Sequence, residues 1–251
     1  MTTFTATPDT ATGSVLLEIT QTAAVTRVVR TDANGIADVR FADGQLPSAS
    51  TGTTIVSDYE AAHGFVSYLV YTSAGTVSGS TTLVLANPWL TVPIMPQYSE
   101  TVQTVTQYSS NRATNNTVHR PIGRADSLVV MGKLGDRTGS LEIFCNDYST
   151  TRKLERVFER GEIVMLRQRV EGLDQYFTVT DIPVAPYAVN GEKGTQWAMT
   201  INYVEVRRPL GDLAGNLGWT FDALAAAYPS FDAVAAAYVD FDALTLGEAI
   251  A

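Results

Sequence analysis

Two histidines, a single cysteine and a scatter of carboxylates are the side chains through which this chain could do acid–base, nucleophilic or metal chemistry. His63 lies in Ala61-Ala62-His63-Gly64, a loop before a strand pattern, and His119 lies between Val118 and Arg120. A hydrolytic centre needs a nucleophile within reach of a base. The chain has no Ser in a G-x-S-x-G elbow, no H-E-x-x-H and no Gly-rich phosphate loop, so both histidines read as surface residues. Cys145, alone, excludes an intramolecular disulfide framework and a cysteine-based zinc site. Its run Leu141-Glu142-Ile143-Phe144-Cys145 reads as a strand carrying a buried structural thiol. Glu142, Asp147 and Asp181 could supply a glycosidase pair only in the sense that any carboxylate could. Asp32-Ala33-Asn34-Gly35-Ile36-Ala37-Asp38 comes nearest to a calcium loop but lacks the bidentate Glu, and reads as a β-turn. Trp89, Tyr98, Tyr108 and Tyr187 could stack on a glycan of a cell envelope, whereas Trp197 reads as core. The expectation is a protein with no catalytic residues, no cofactor and no metal site.

The elements that would hold these residues belong to a folded chain of 251 residues, 45% hydrophobic and 17% charged. That is long enough for two ordinary domains and a tail. No run approaches the roughly 20 apolar residues of a membrane span, so no membrane insertion is expected. Met1 to Ser14 is polar and Thr-rich, without the basic and apolar regions of a secretory signal. With one cysteine, this points to synthesis and folding in a reducing compartment. The net charge of −9 is unevenly spread. Residues 1–110 carry three basic and eight acidic side chains, and their only basic residues are Arg27, Arg30 and Arg40. Residues 111–210 carry fourteen basic and twelve acidic side chains, and residues 211–251 carry six acidic and none basic. Nucleic acid is not an expected partner of such a surface. The acidic tail could instead find its complement on the Arg-rich middle of another copy.

Residues 1–86 read as short strands at regular spacing: Val15–Thr20, Val25–Arg30, Ile36–Phe41, Thr53–Asp58, Phe65–Thr72 and Ser80–Leu85. This suggests an all-β sandwich, and Asn34-Gly35 fits a tight reversal. The stretch Gly64-Phe65-Val66-Ser67-Tyr68-Leu69-Val70-Tyr71 resembles a fibronectin type III or immunoglobulin-like module, with Tyr68 at the tyrosine-corner position. It departs from that pattern by a three-residue gap after Gly64, where two is usual. Residues 87–121 read as a connector, extended at Asn87-Pro88-Trp89 and Val92-Pro93-Ile94-Met95-Pro96, then polar to Thr117 as an extended arm or hairpin. Residues 122–210 read as a helix-flanked β-sandwich, an α+β domain. Its strand candidates are Ser127–Lys133 and Ser140–Cys145 around the turn Leu134–Gly139, then Ile163–Arg169, Tyr176–Ile182 and Gln196–Val206. Ser149 or Thr150 would cap a helix Thr151–Glu159 ending at Gly161. On that helix Leu154, Val157 and Phe158 form the buried face.

Residues 211–251 repeat with a period of ten: Thr220-Phe221-Asp222-Ala223-Leu224-Ala225-Ala226-Ala227-Tyr228-Pro229, then Ser230-Phe231-Asp232-Ala233-Val234-Ala235-Ala236-Ala237-Tyr238-Val239, then Asp240-Phe241-Asp242-Ala243-Leu244. Each unit opens on a capping side chain, places Asp in the first turn and fills with Ala, so it reads as a two-turn helix. Phe221, Leu224 and Tyr228 share a face, as do Phe231, Val234 and Tyr238. Helices this short are marginal alone, so these residues, with Phe241 and Leu244, are expected to dock on protein, preferably another subunit.

Taken in order, several stretches make the chain resemble the minor tail proteins of long non-contractile-tailed phages that infect actinobacteria. They are Leu46-Pro47, Asp58-Tyr59-Glu60, the Pro88-Trp89 to Pro93 junction, Ile122-Gly123-Arg124-Ala125-Asp126-Ser127-Leu128-Val129-Val130 and Gly139-Ser140-Leu141-Glu142-Ile143. Phe177-Thr178-Val179-Thr180-Asp181-Ile182, Asn202-Tyr203-Val204-Glu205-Val206-Arg207-Arg208-Pro209 and the C-terminal repeats complete the set. The polar arm at 97–117 is longer than that pattern leads one to expect. The resemblance implies a virion protein at the tail tip, assembled in the bacterial cytoplasm as a symmetric ring and contacting itself and other tail-tip proteins. The alternatives are the distal tail hub under the tail tube, or a receptor-binding module for host cell-wall glycan. Six copies would fit the hub and three a tip component below it.

Overall fold

Alternation of apolar and polar residues builds the first half of the molecule. In β2 (Ser14–Gln21) Val15, Leu17 and Ile19 are buried while Leu16, Glu18 and Thr20 face out, the period-two pattern of a strand with one wet face. The computed structural model describes residues 2–41, 51–120, 122–187, 196–211, 213, 228 and 230–237. With β1 (Thr3–Asp9) and β5 (Gly52–Asp58), β2 forms a three-stranded sheet in the order β1-β2-β5. β3 (Val25–Asp32), β4 (Gly35–Asp38), β6 (Gly64–Thr72) and β7 (Gly75–Leu83) form a second sheet, β4-β3-β6-β7. Val15, Leu17, Ile19 and Val56 of one sheet meet Val28, Val66, Tyr68 and Val70 of the other in a single core. Each such side chain contributes roughly 1.5–3 kcal/mol. β1 has no counterpart among the expected strands, because Phe4 and Ala6 are the only apolar residues it turns toward the core.

The second half is one antiparallel sheet. β8 (Trp89–Thr91), β9 (Glu100–Thr101), β10 (Thr104–Thr114), β13 (Leu134–Cys145), β14 (Val164–Arg167), β15 (Gln175–Asp181) and β17 (Trp197–Glu205) run in the order β10-β13-β17-β15-β14-β8-β9. β16 (Val184–Pro186) also pairs with β17. The stretch 87–121 is therefore not a connector in the main: it supplies both edges of this sheet. Thr, Val, Gln and Tyr fill β10, which suits an edge strand with solvent on most of its surface. Helix α1 (Tyr148–Phe158) lies against β13, β17 and β9 and buries Thr151, Leu154 and Val157. Its cap is Asp147, not Ser149 or Thr150. The extended backbone of Asp147 lets its side chain accept from the Thr150 N–H at 2.7 Å.

The expected turn at Leu134–Gly139 is instead the first half of the twelve-residue strand β13. Glycines read as turn markers there serve close packing. A Cβ on Gly139 would lie 2.0 Å from the Ser109 carbonyl oxygen and 2.8 Å from Tyr203 Oη. The reversal comes further out: beyond β10 and β13 the two chains continue as a thin ribbon of β11 (Thr117–His119) and β12 (Leu128–Val130), which pair only with each other.

The junction between the halves is a single peptide. Trp89 packs in the core of the sandwich, and Leu90, the next residue, packs in the core of the second sheet. Gly13 makes room for the indole: its φ is +63° and a Cβ there would sit 2.7 Å from Trp89 Cε2.

Gly139→Ala should destabilise the protein by about 1–3 kcal/mol through overpacking, read as a lowered midpoint in urea unfolding. An unchanged midpoint would mean that Tyr203 and β10 relax without cost.

Candidate functional site

The chemistry-bearing side chains that the structure gathers are the arginines and carboxylates where the two halves meet. Arg30, in β3, is buried and donates from Nη1 to Asp58 Oδ1 at 2.8 Å, with Nε 2.7 Å from Asp32 Oδ2. Tyr68 Oη donates to Asp58 Oδ2 at 3.0 Å, and the Ala62 N–H donates to Asp32 Oδ2. Burial opposes the Arg30 charge, yet Asp58, Asp32 and Glu60 more than offset it and raise its pKa. The Tyr68 hydroxyl is pushed up, by burial first and the Asp58 charge next.

A second cluster spans the halves. Glu60 receives Arg40 Nε at 2.8 Å, Arg208 Nη2 at 2.6 Å and Tyr176 Oη at 2.8 Å. Burial alone would raise the Glu60 carboxyl, but Arg208 and Arg40 hold it below the usual carboxylate range. Arg208 Nη2 also reaches the Asp38 carbonyl. Arg40 donates to the carbonyls of Pro209 and Gly211, and the Leu213 N–H donates to the Phe41 carbonyl. The chain leaving β17 is thus pinned to the sandwich as far as Leu213.

Arg167 of β14 is the third tie. It is fully buried and donates from Nη1 to the carbonyls of Gly13 and Ala61 and from Nε to Thr91 Oγ1. Among the described residues no carboxylate pairs with it, and burial lowers its pKa to about 10, partly opposed by Asp58 and Asp174. Asn34 Nδ2 donates to Asp174 Oδ2 at 2.8 Å across the same joint. A cleft of about 180 Å³ here is lined by Asn34, His63, Gln168, Glu171 and Asp174. It is smaller than ordinary ligand pockets of roughly 300–1,000 Å³, and Asn34 and Asp174 are already spent on each other.

The residues considered for chemistry do not converge. His63 Nδ1 accepts the Leu85 N–H, while His119 is exposed on β11. Cys145 is buried, and that burial raises its pKa. Glu142 accepts from Thr106, Asp147 caps α1, and Asp181 is exposed at the end of β15. Asp32 and Asp38 of the calcium-like stretch turn to Arg30 and Arg27 respectively. No group of three His, Cys, Asp or Glu side chains suited to a metal occurs among the described residues.

Of the aromatics considered for glycan stacking, Trp89 is core, Tyr98 lies under Arg160, and Tyr108 stacks on Tyr203. Tyr187 is 47% exposed, with Phe144 against its ring edge. Trp197 is partly buried against the second core. Four exposed aromatics were expected; Tyr187 is exposed, Trp89 is buried, and Tyr98 and Tyr108 are partly buried against the second core.

Two surfaces remain. The β11–β12 ribbon carries Val118, Ile122, Leu128, Val129, Val130 and Met131, all largely exposed. In the tail, helix α2 (Phe231–Ala237) is capped by Ser230, whose Oγ accepts from the Ala233 N–H. Within this chain Val234 is buried, Tyr228 is half-buried and Phe231 is 70% exposed. Phe221, Leu224, Tyr238, Phe241 and Leu244 lie outside the described residues. No family model matches the chain, and no curated protein matches it.

Glu60→Gln should cost about 3–5 kcal/mol at pH 7, since it leaves Arg40 and Arg208 short of their counter-charge. The Glu60 contribution is present above its unfolded pKa of about 4.3 and is lost as pH falls through its lowered folded value. The gap between wild type and variant in urea unfolding should therefore narrow toward pH 3. A gap that stays constant with pH would assign the loss to packing instead.

Proposed function

We propose that this protein is a structural component of a phage tail tip, a minor tail protein that assembles as a symmetric ring and docks neighbouring tail proteins. The observation that carries this reading is the β-ribbon beyond β10 and β13. It extends past the second sheet and turns apolar side chains on both of its faces to solvent, a surface that marks an interaction site. The ordered residue series resembling actinobacteriophage minor tail proteins supports the particular assembly.

The sandwich supports it as well. A three-stranded sheet β1-β2-β5 facing β4-β3-β6-β7, with a buried Tyr68 on β6, supports reading the first half as a fibronectin III-like module. In this reading the module is a scaffold, and the buried charges at the joint fix geometry rather than carry out turnover. This reading assigns no catalytic role: among the described residues His63, Cys145, Glu142 and Asp147 are committed to structure, while His119 and Asp181 are exposed. A hub under the tail tube would use the same surfaces with six copies. The glycan-binding alternative loses most of its stacking platform to the core.

Removing residues 214–251 should leave urea unfolding of the body unchanged while sharply reducing incorporation into particles. Cutting before Arg208 should destabilise the body, because Glu60 loses a partner. Labelled antibody against this chain should decorate the tail tip of intact particles. Particles without the protein, or truncated protein that incorporates at the normal rate, would overturn the reading.

A further inference from the structure

The ribbon and the tail are of opposite character. β11 and β12 pair Thr117 with Val130, Val118 with Val129 and His119 with Leu128. Side chains of a strand alternate between faces, so Val118 and Val129 lie on one face and Leu128 and Val130 on the other. A two-stranded ribbon apolar on both faces is marginal in water and gains by being covered. Among the described residues it is left open: Met131 is 80% exposed and Ile122 fully exposed. The arm from Arg112 to Arg137 carries four arginines and Lys133 against Asp126 and Asp136. Two arms brought together would repel.

Residues 211–251 have the opposite charge, six acidic side chains and no basic one, with an aromatic at each ten-residue step. Phe231 on α2 is exposed within the chain. The chain runs 38 residues beyond Leu213, a length that spans up to about 125 Å at full extension, ample to reach a neighbour.

We infer that the β11–β12 arm of each copy receives the C-terminal repeat segment of an adjacent copy. The contact is a heterologous one, so repeated around an axis it closes a ring. Apolar side chains of the ribbon cover the Phe, Leu and Tyr stripe, and Arg120, Arg124 and Lys133 face the aspartates of the repeats. The inference deepens the assembly reading above and rests on it for the presence of a neighbouring copy.

The test uses the full-length chain with a photo-crosslinking phenylalanine analogue at position 231, assembled from an equal mixture of light and heavy isotope-labelled copies. Cross-links from 231 to residues 117–131 that join light to heavy peptides are expected. Cross-links confined to one isotope, or to another surface, overturn the inference, as does assembly without any cross-link.

Charge reversal gives an independent measurement. Asp222→Lys, Asp232→Lys and Asp242→Lys together, or Arg120→Glu, Arg124→Glu and Lys133→Glu together, should each weaken self-association by about tenfold or more at low salt. Combining both sets in one chain should restore it. Circular dichroism matching the wild type certifies that the body is folded. Failure of the combined variant to recover overturns the inference. Particle decoration is read separately: a protein found at the tail tip without the cross-link sinks the arm–tail contact alone, and a cross-linked oligomer absent from particles sinks only the assignment to the tail.

Discussion

The fold depends on buried charges that need each other. Glu60 belongs to the sandwich, but two of its three side-chain partners, Arg208 and Tyr176, belong to the other half of the chain. Arg167 belongs to the second sheet and donates from Nη1 to carbonyls of the first half. Stranding any of these in a dry joint without its partners costs several kcal/mol. Well-packed apolar residues would join the halves at least as strongly. What the ionic joint adds is geometric selectivity: planar guanidinium groups accept few arrangements of oxygen acceptors, so the halves meet in one orientation.

That orientation determines where the appendages leave the body. The same arginine that anchors Glu60, Arg40, also holds the carbonyls of Pro209 and Gly211, so the root of the tail is positioned by the joint. The arm is positioned by β10 and β13, whose pairing runs nine register positions before the ribbon begins. The arm and the tail, of opposite charge in the sequence, thus each have a fixed point of departure from the body.

Much of the sandwich was legible in the sequence because its strands alternate cleanly and are punctuated by turn residues, as in β2 and β6. The second half was harder to read. Gly135 and Gly139 look like turn residues, and the constraint that makes Gly139 a strand residue, the Tyr203 ring and the Ser109 carbonyl, comes from neighbours distant in sequence. β10 looks like a linker because an edge strand has little apolar surface to bury. The joint left a faint signal that composition could have supplied: Arg30 and Arg40 are two of only three basic residues in the first 110, and both lie in apolar strand patterns. Arg208, which shares Glu60 with Arg40, lies 148 residues from that carboxylate, a distance over which spacing rules carry no information. The tail repeat showed its helical design plainly, and α2 has the Ser cap that design calls for, but a local pattern does not say which surface receives it.

The indole of Trp89 lies in one core and the side chain of Leu90 in the next, because successive side chains of a strand point to opposite sides. Two-domain proteins ordinarily carry a few free residues between their parts, and these act as a hinge. Here the place of the hinge is occupied by a splice. Turning one half against the other would pull an indole from beneath Gly13 or a leucine from the second core. Under tension along the chain, the halves share load as one beam, and the first element to yield is a hydrogen-bonded strand, not a linker. In the tail-tip role proposed above, that stiffness would pass a displacement at one face to the opposite face without loss of angle.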